Sequence, residues 1–143
     1  MADAEGMVVD ASIALSWCFE DEYSPLADTV LQRLMHERAV APAIWPLEVA
    51  NGLRSGERRG RLDEHSIPVA ARLLMTLPIT IEEPPRLEDA LGRVLHLARA
   101  VGLTVYDAAY LDLATRRGLP LATVDEQLAR AAGAAGVDVM EIS

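Results

Sequence analysis

Apolar positions along the chain alternate between short unbroken runs and stripes at helical spacing. Met7-Val8-Val9 is a short run that ends abruptly at Asp10, the pattern of a strand buried inside a parallel sheet. Ala11 to Phe19 carries Ile13, Leu15, Trp17 and Cys18 and predicts a short helix, closed by the acidic turn Glu20-Asp21-Glu22. Ser24-Pro25 starts the next helix, with serine as N-cap and proline in the first turn. Its apolar face is Leu26, Val30, Leu31 and Leu34, and it is expected to run to about Arg38. Ala39 to Ala43 predicts a second strand, and Trp45 opens a helix with Glu48 in its first turn. Asp63 is placed to cap a further helix whose buried side is Leu62, Ile67, Ala70, Leu73 and Leu74. Pro78 breaks that helix, and Ile79-Thr80-Ile81 predicts a third strand. Leu87, Leu91, Val94, Leu95 and Ala98 predict one helix from Arg86 to Val101, stopped by Gly102. Another helix follows from Thr104 to Gly118. Leu121 to Val124 predicts a fourth strand running into Asp125, with a helix from Gln127 to Ala132 and a terminal strand from Val137 to Met140. Strands alternating with helices predict a three-layer α/β fold, a mostly parallel sheet flanked by helices, in a single domain spanning 1–143.

Composition narrows the chemistry. With 143 residues, 51% of them hydrophobic, the chain is long enough to bury one core and is not disordered. No apolar run is long enough to span a bilayer and no signal-peptide pattern opens the chain, so a soluble cytoplasmic protein is expected. Cys18 is the only cysteine, which excludes an internal disulfide and a cysteine-based zinc cluster. The formal charge of −9 argues against nucleic-acid binding by bulk electrostatics alone. All thirteen basic residues are arginine. That excludes any mechanism needing a catalytic or phosphate-binding lysine.

Four acids stand out by position. Asp10, or Ser12 after it, has an ordinary role as a helix cap. Glu48 is favoured in a first helical turn by the macrodipole. Thr104 and Asp107 fit a capping box, and Asp125 opens the last helix. Yet all four fall at strand-to-helix junctions or helix starts, and in a parallel sheet such junctions meet at the carboxyl edge, where ligands bind. Carboxylates gathered there repel one another, and a hard divalent cation relieves the repulsion. Oxygen ligands without a cysteine or histidine cluster point to Mg²⁺ or Mn²⁺. Such an ion activates water and stabilises charge on a phosphoryl group, which implies phosphodiester hydrolysis. Asp112 lies about 140° round the helix from Asp107 and is left out of the site. His36 and His96 have no ligand-spaced partners and receive no role. Arg54, Arg58, Arg59 and Arg61 make either a solvated helix face or a contact to backbone phosphates.

Val8-Val9-Asp10-Ala11-Ser12, Pro46-Leu47-Glu48-Val49-Ala50-Asn51, Thr104-Val105-Tyr106-Asp107-Ala108-Ala109-Tyr110-Leu111 and Leu121-Ala122-Thr123-Val124-Asp125 together resemble the successive motifs of PIN-domain proteins. The nearest subgroup is the VapC-type toxins of bacterial toxin–antitoxin pairs. Each motif is short, but four in order across essentially the whole chain are specific. The resemblance implies an Mg²⁺-dependent endoribonuclease acting on tRNA or ribosomal RNA, held in check by a VapB-like antitoxin and forming a homodimer. It makes Asp10 and Asp107 the principal metal ligands, with Glu48 and Asp125 completing the acidic site. Ser12, Asn51 and Thr123 match polar positions that hydrogen-bond around such sites. A phosphoacceptor or phosphatase module also gathers acids at a sheet edge, but it needs a lysine, and the phosphatase type needs a second aspartate where this chain has Ser12. A catalytically silent PIN-like binding module is the other alternative, and the presence of all four acids gives no reason to prefer it.

Overall fold

The computed structural model describes residues 4–141. The elements follow in the order β1 (Glu5–Val9), α1 (Ala11–Cys18), a 3₁₀ turn (Glu20–Glu22), α2 (Pro25–Arg33), β2 (Arg38–Ala41), α3 (Trp45–Arg58), α4 (Ser66–Thr76) and β3 (Ile79–Ile81). Then come α5 (Leu87–Asp89), a π-helical turn (Ala90–Val94), α6 (Leu95–Val101), α7 (Val105–Arg117), β4 (Leu121–Ala122) and α8 (Glu126–Ala134). The sheet order is β3-β2-β1-β4, with every pairing parallel. The expected three-layer α/β architecture is present.

Met7, Val8 and Val9 are fully buried, as are Val40 and Leu121 on the neighbouring strands. This explains why β1 reads as an unbroken apolar run: like β2, it has partners on both edges. Parallel pairing places the carboxyl ends of all four strands on one edge, so the residues just after each strand share a rim. Asp10 follows β1 directly.

α3 lies unusually close to α1. A Cβ on Gly52 would come within 2.5 Å of Leu15 Cδ1, and one on Gly56 within 2.4 Å of the Phe19 ring. Phe19 is buried, so the two glycines are where the helix backbone meets its neighbours. This approach brings the start of α3, and Glu48 with it, toward Asp10.

Some predicted boundaries shift. α2 ends at Arg33, because residues 34–37 turn back so that Arg38 can begin β2. β2 ends at Ala41 instead of continuing to Ala43. The stretch predicted as one helix from Arg86 to Val101 is helical from Leu87 to Val101 with a π turn inside it, and Leu87 and Leu91 are exposed while Val94 and Ala98 are buried. β4 has two residues only, and the expected terminal strand is reduced to a single parallel bridge between Leu121 and Val139. Gly102 and Gly118 do end helices in the left-handed conformation, as glycine permits. Asp63 accepts hydrogen bonds from the Ser66 N–H and Oγ at 2.9 Å, capping α4 as expected.

Candidate active site

Asp10 holds the N-cap position of α1, but its side chain makes no capping hydrogen bond. Its carboxylate instead accepts from the Ser12 hydroxyl at 2.6 Å and the Thr123 hydroxyl at 2.7 Å. Both protons are directed at the same oxygen, Oδ2. The two hydroxyls are in turn fixed by backbone: Ser12 Oγ accepts from the Val124 N–H at 3.1 Å, and Thr123 Oγ1 from the Asp125 N–H at 3.0 Å. This lattice explains the brevity of β4. The chain leaves the sheet at Thr123 so that the hydroxyl faces Asp10 across the β1–β4 pair. Asp10 itself is only 7% exposed.

Glu48, half-buried in the first turn of α3, accepts a hydrogen bond from the Tyr110 hydroxyl at 2.5 Å. Tyr110 is fully buried and lies three residues after Asp107 on α7, hence on a neighbouring helix face. Sequence analysis quoted it within a motif and gave it no role. The available signal was a lone phenol among the small and aliphatic residues flanking an acid, since a buried tyrosine hydroxyl needs a partner. Asp107 sits in the first turn of α7, where the Thr104 hydroxyl accepts from its backbone N–H at 3.1 Å. Asp125 caps α8 with its side chain, accepting from the N–H groups of Gln127 at 2.9 Å and Leu128 at 3.2 Å. The capping role expected for Asp125 is therefore real, and it coexists with proximity to the other acids.

The electrostatics tie the four together. Burial pushes the Asp10 carboxyl above its ordinary value; the Ser12 and Thr123 hydroxyls oppose this, and the charge of Asp125 adds to it. Asp107 is raised first by burial, then by Asp10 and Asp125. Glu48 is raised by burial and by the charges of Asp10 and Asp107, against the stabilising bond from Tyr110. Each acid therefore feels at least one other. Among the described residues no three Asp, Glu, His or Cys side chains converge into a ready-made metal cage. An open, all-oxygen set suits a cation that keeps several waters and takes one or two carboxylates, as Mg²⁺ does.

Ser12 and Thr123 stand where sequence analysis put them, against an acid. Asn51 does not touch the acids. It is exposed one turn along α3 from Glu48 and lines a groove of about 380 Å³ with Arg54, Ser55, Arg58 and Arg59. Arg54 is partly occupied by an ion pair with Glu57 at 2.7 Å. Arg61, grouped with these arginines in sequence, does not line this groove. Its guanidinium bonds Asp21 and Glu22 at 2.8 Å each and stacks over the Phe19 ring at 4.3 Å, so it braces the 3₁₀ turn on another surface. Asp112, left out of the expected site, is buried between Arg93 at 2.6 Å and Arg116 at 2.9 Å.

Residues 7–134 match the PIN domain as a sequence family. The chain belongs to the PIN-domain family. The PIN domain here is 34% identical over 125 residues to ribonuclease VapC3 of Pyrobaculum aerophilum, covering 86% of this chain and 92% of that one. It is 32% identical over 127 residues to ribonuclease VapC12 of Mycobacterium tuberculosis, covering 89% and 92% respectively. Among solved structures, PAE2754 from Pyrobaculum aerophilum superposes with a TM-score of 0.66 at 26% identity, covering 90% of this chain and 86% of the other. FitAcB from Neisseria gonorrhoeae, at 18% identity and a TM-score of 0.61 over 95% and 97%, shares the fold. Among the described residues, no helix of this PIN domain is long and apolar enough to cross a membrane.

Proposed function

We propose that this PIN domain is a VapC-type toxin, an endoribonuclease that hydrolyses RNA phosphodiester bonds with Mg²⁺, for which Mn²⁺ can substitute. The observation that carries the reading is the set of four carboxylates from four separate segments, mutually repelling at one edge of a parallel sheet. The relatives named as VapC ribonucleases support it. Asp10 and Asp107 would hold the metal, with Glu48 and Asp125 completing the acidic site. A bound Mg²⁺ supplies an acidified water as nucleophile and positive charge for the phosphoryl oxygens.

The protein's own groups do the rest. Ser12 and Thr123 hold the Asp10 carboxylate in one orientation and donate to it, so that it would be presented to a cation as an acceptor. Glu48, with its proton affinity raised and its orientation set by Tyr110, is suited to take the proton of the attacking water. Asn51 and the Arg54–Arg58–Arg59 groove continue from Glu48 along α3 and offer a track for the RNA backbone on an otherwise acidic protein. The partners expected from this reading are a tRNA or ribosomal RNA substrate, a VapB-like antitoxin and a second copy of the chain as homodimer.

The test is cleavage of total cellular RNA by the purified, antitoxin-free protein, with Mg²⁺ and with EDTA. Discrete metal-dependent fragments are the expected outcome, and intact RNA from folded protein in Mg²⁺ overturns the reading. Replacing Arg58 and Arg59 together by alanine is expected to weaken RNA binding about tenfold at low salt and to reduce the steepness of its salt dependence by about two phosphate contacts. Both side chains are exposed, so the melting temperature should hold. An unchanged dissociation constant would remove the groove from the binding surface.

A further inference from the structure

A second concavity opens on the same rim as the acids, beyond the carboxyl ends of β2 and β3. It encloses about 270 Å³, and most of its wall is apolar, including Pro42, Ile44, Val94, Val105 and Ala109. That volume lies below the range of sites for drug-sized ligands and suits one planar ring system. The cavity borders two elements that also carry acids of the site. Residues 42–44 lead directly into the first turn of α3, which carries Glu48. On α7, Ala109, Asp112 and Arg116 fall within about 40° of Val105, whereas Asp107 is about 160° away, near the opposite face, and Tyr106 about 100°. Tyr106 therefore stands between the cavity face and the acid face of one helix, with 60% of its surface exposed.

The polar groups of the cavity are unequal. Arg116 is saturated by Asp112 at 2.9 Å and by Glu82 at 2.7 Å. Glu83 also lines the cavity, yet makes no ion pair or hydrogen bond among the described residues. A pocket with apolar walls, an exposed phenol at its lip and one unengaged carboxylate calls for a flat ligand whose edge donates hydrogen bonds. An RNA strand crossing the acids offers such a group next to its own phosphate.

We propose that this cavity receives one unpaired base of the RNA beside the scissile phosphate, with Tyr106 stacking and Glu83 reading the base edge. The proposal rests on the nuclease reading above. Single-stranded RNA is recognised in this way, by aromatic stacking and by hydrogen bonds to splayed-out base edges. An ionised carboxylate only accepts, and guanine alone presents two adjacent donors, N1–H and the N2 amino group, matched to its two oxygens. The cavity is therefore assigned to guanine.

The experiment is cleavage of a randomised single-stranded RNA pool in Mg²⁺, with sequencing of the cut ends. Wild-type protein should show guanine enriched at one position beside the cut. Glu83→Gln should reduce that enrichment about tenfold, leaving preferences at other positions in place. Ala109→Phe, which fills the cavity, should abolish it. Glu83 lies on an exposed loop, so its variant carries the test even if the Ala109 substitution disturbs folding. Tyr106→Ala should raise KM about tenfold through lost stacking. A cut-site profile identical in wild type and Glu83→Gln overturns the proposal, as does a wild-type profile with no guanine preference; both leave the nuclease reading standing. No cleavage of any RNA in the pool overturns both.

Discussion

Asp107→Asn is expected to lower RNA cleavage by about a thousandfold or more while raising the melting temperature of the metal-free protein by a few degrees. The two effects have one cause. Burial and the charges of Asp10 and Asp125 hold the Asp107 carboxyl above its ordinary value, so at neutral pH the folded protein bears an ionised group it disfavours. The amide keeps the shape and deletes the repulsion. The pH dependence follows from the direction of these shifts. Asp10, Glu48 and Asp107 all have native values above their ordinary ones of 3.8, 4.5 and 3.8. The folded state therefore binds more protons than the unfolded one between the ordinary and the raised values. Stability attributable to these groups falls as pH rises through that window and stays low above it. Excess Mg²⁺ should reverse the loss by binding the native state. Thermal melts of both proteins from pH 4 to 8, with Mg²⁺ and with EDTA, check the whole set. A metal-induced rise in melting temperature that is undiminished in Asp107→Asn would remove this residue as a ligand.

Asp112→Ala is expected to destabilise the fold by about 3 kcal/mol, lowering the melting temperature by about 10 °C. The Asp112 carboxylate is 6% exposed and bridges Arg93 in the π turn to Arg116 near the end of α7. Arg116 passes the connection on to Glu82 after β3, and Arg117 joins Glu82 at 3.7 Å and Glu5 on β1. Removing the central acid leaves two guanidiniums without their shared partner. Because these are 45% and 34% exposed, water recovers part of the loss. This places the estimate at the low end of the range of about 3–5 kcal/mol for breaking a buried pair. A urea titration of the variant measures the effect, and a change below about 1 kcal/mol would show the network to be a solvated surface array.

The alternating strands and helices were legible because buried parallel strands leave unbroken apolar runs and the helices between them leave stripes. The gathering of acids was legible for the same reason: Asp10 and Asp125 each follow a strand, and parallel topology sends such positions to one rim. What lay outside one-dimensional pattern was pairing. Leu87 and Leu91 have the spacing of a buried face, and no periodicity count distinguishes them from Val94 and Ala98 when the turn that carries Leu91 and Val94 is π-helical. Arg61 follows Arg58 and Arg59 in sequence, yet its partners Asp21 and Glu22 are some forty residues earlier. Tyr110 is core, and only the folded chain shows its hydroxyl meeting a glutamate from another helix. Asp112 could be excluded from the acidic site by its angle on the helix, whereas its burial depended on arginines supplied from elsewhere.

The sheet order carries a consequence in time. β1, made first, waits for β4, the last strand to be made, and Asp10 waits with it for the hydroxyl of Thr123, 113 positions downstream. A ribosome that has released the chain only as far as Gly102 has delivered Asp10 and Glu48, but neither Asp107 nor Asp125. The two halves of the acidic site thus emerge in sequence, and the set of four acids is complete only once Asp125 has been added.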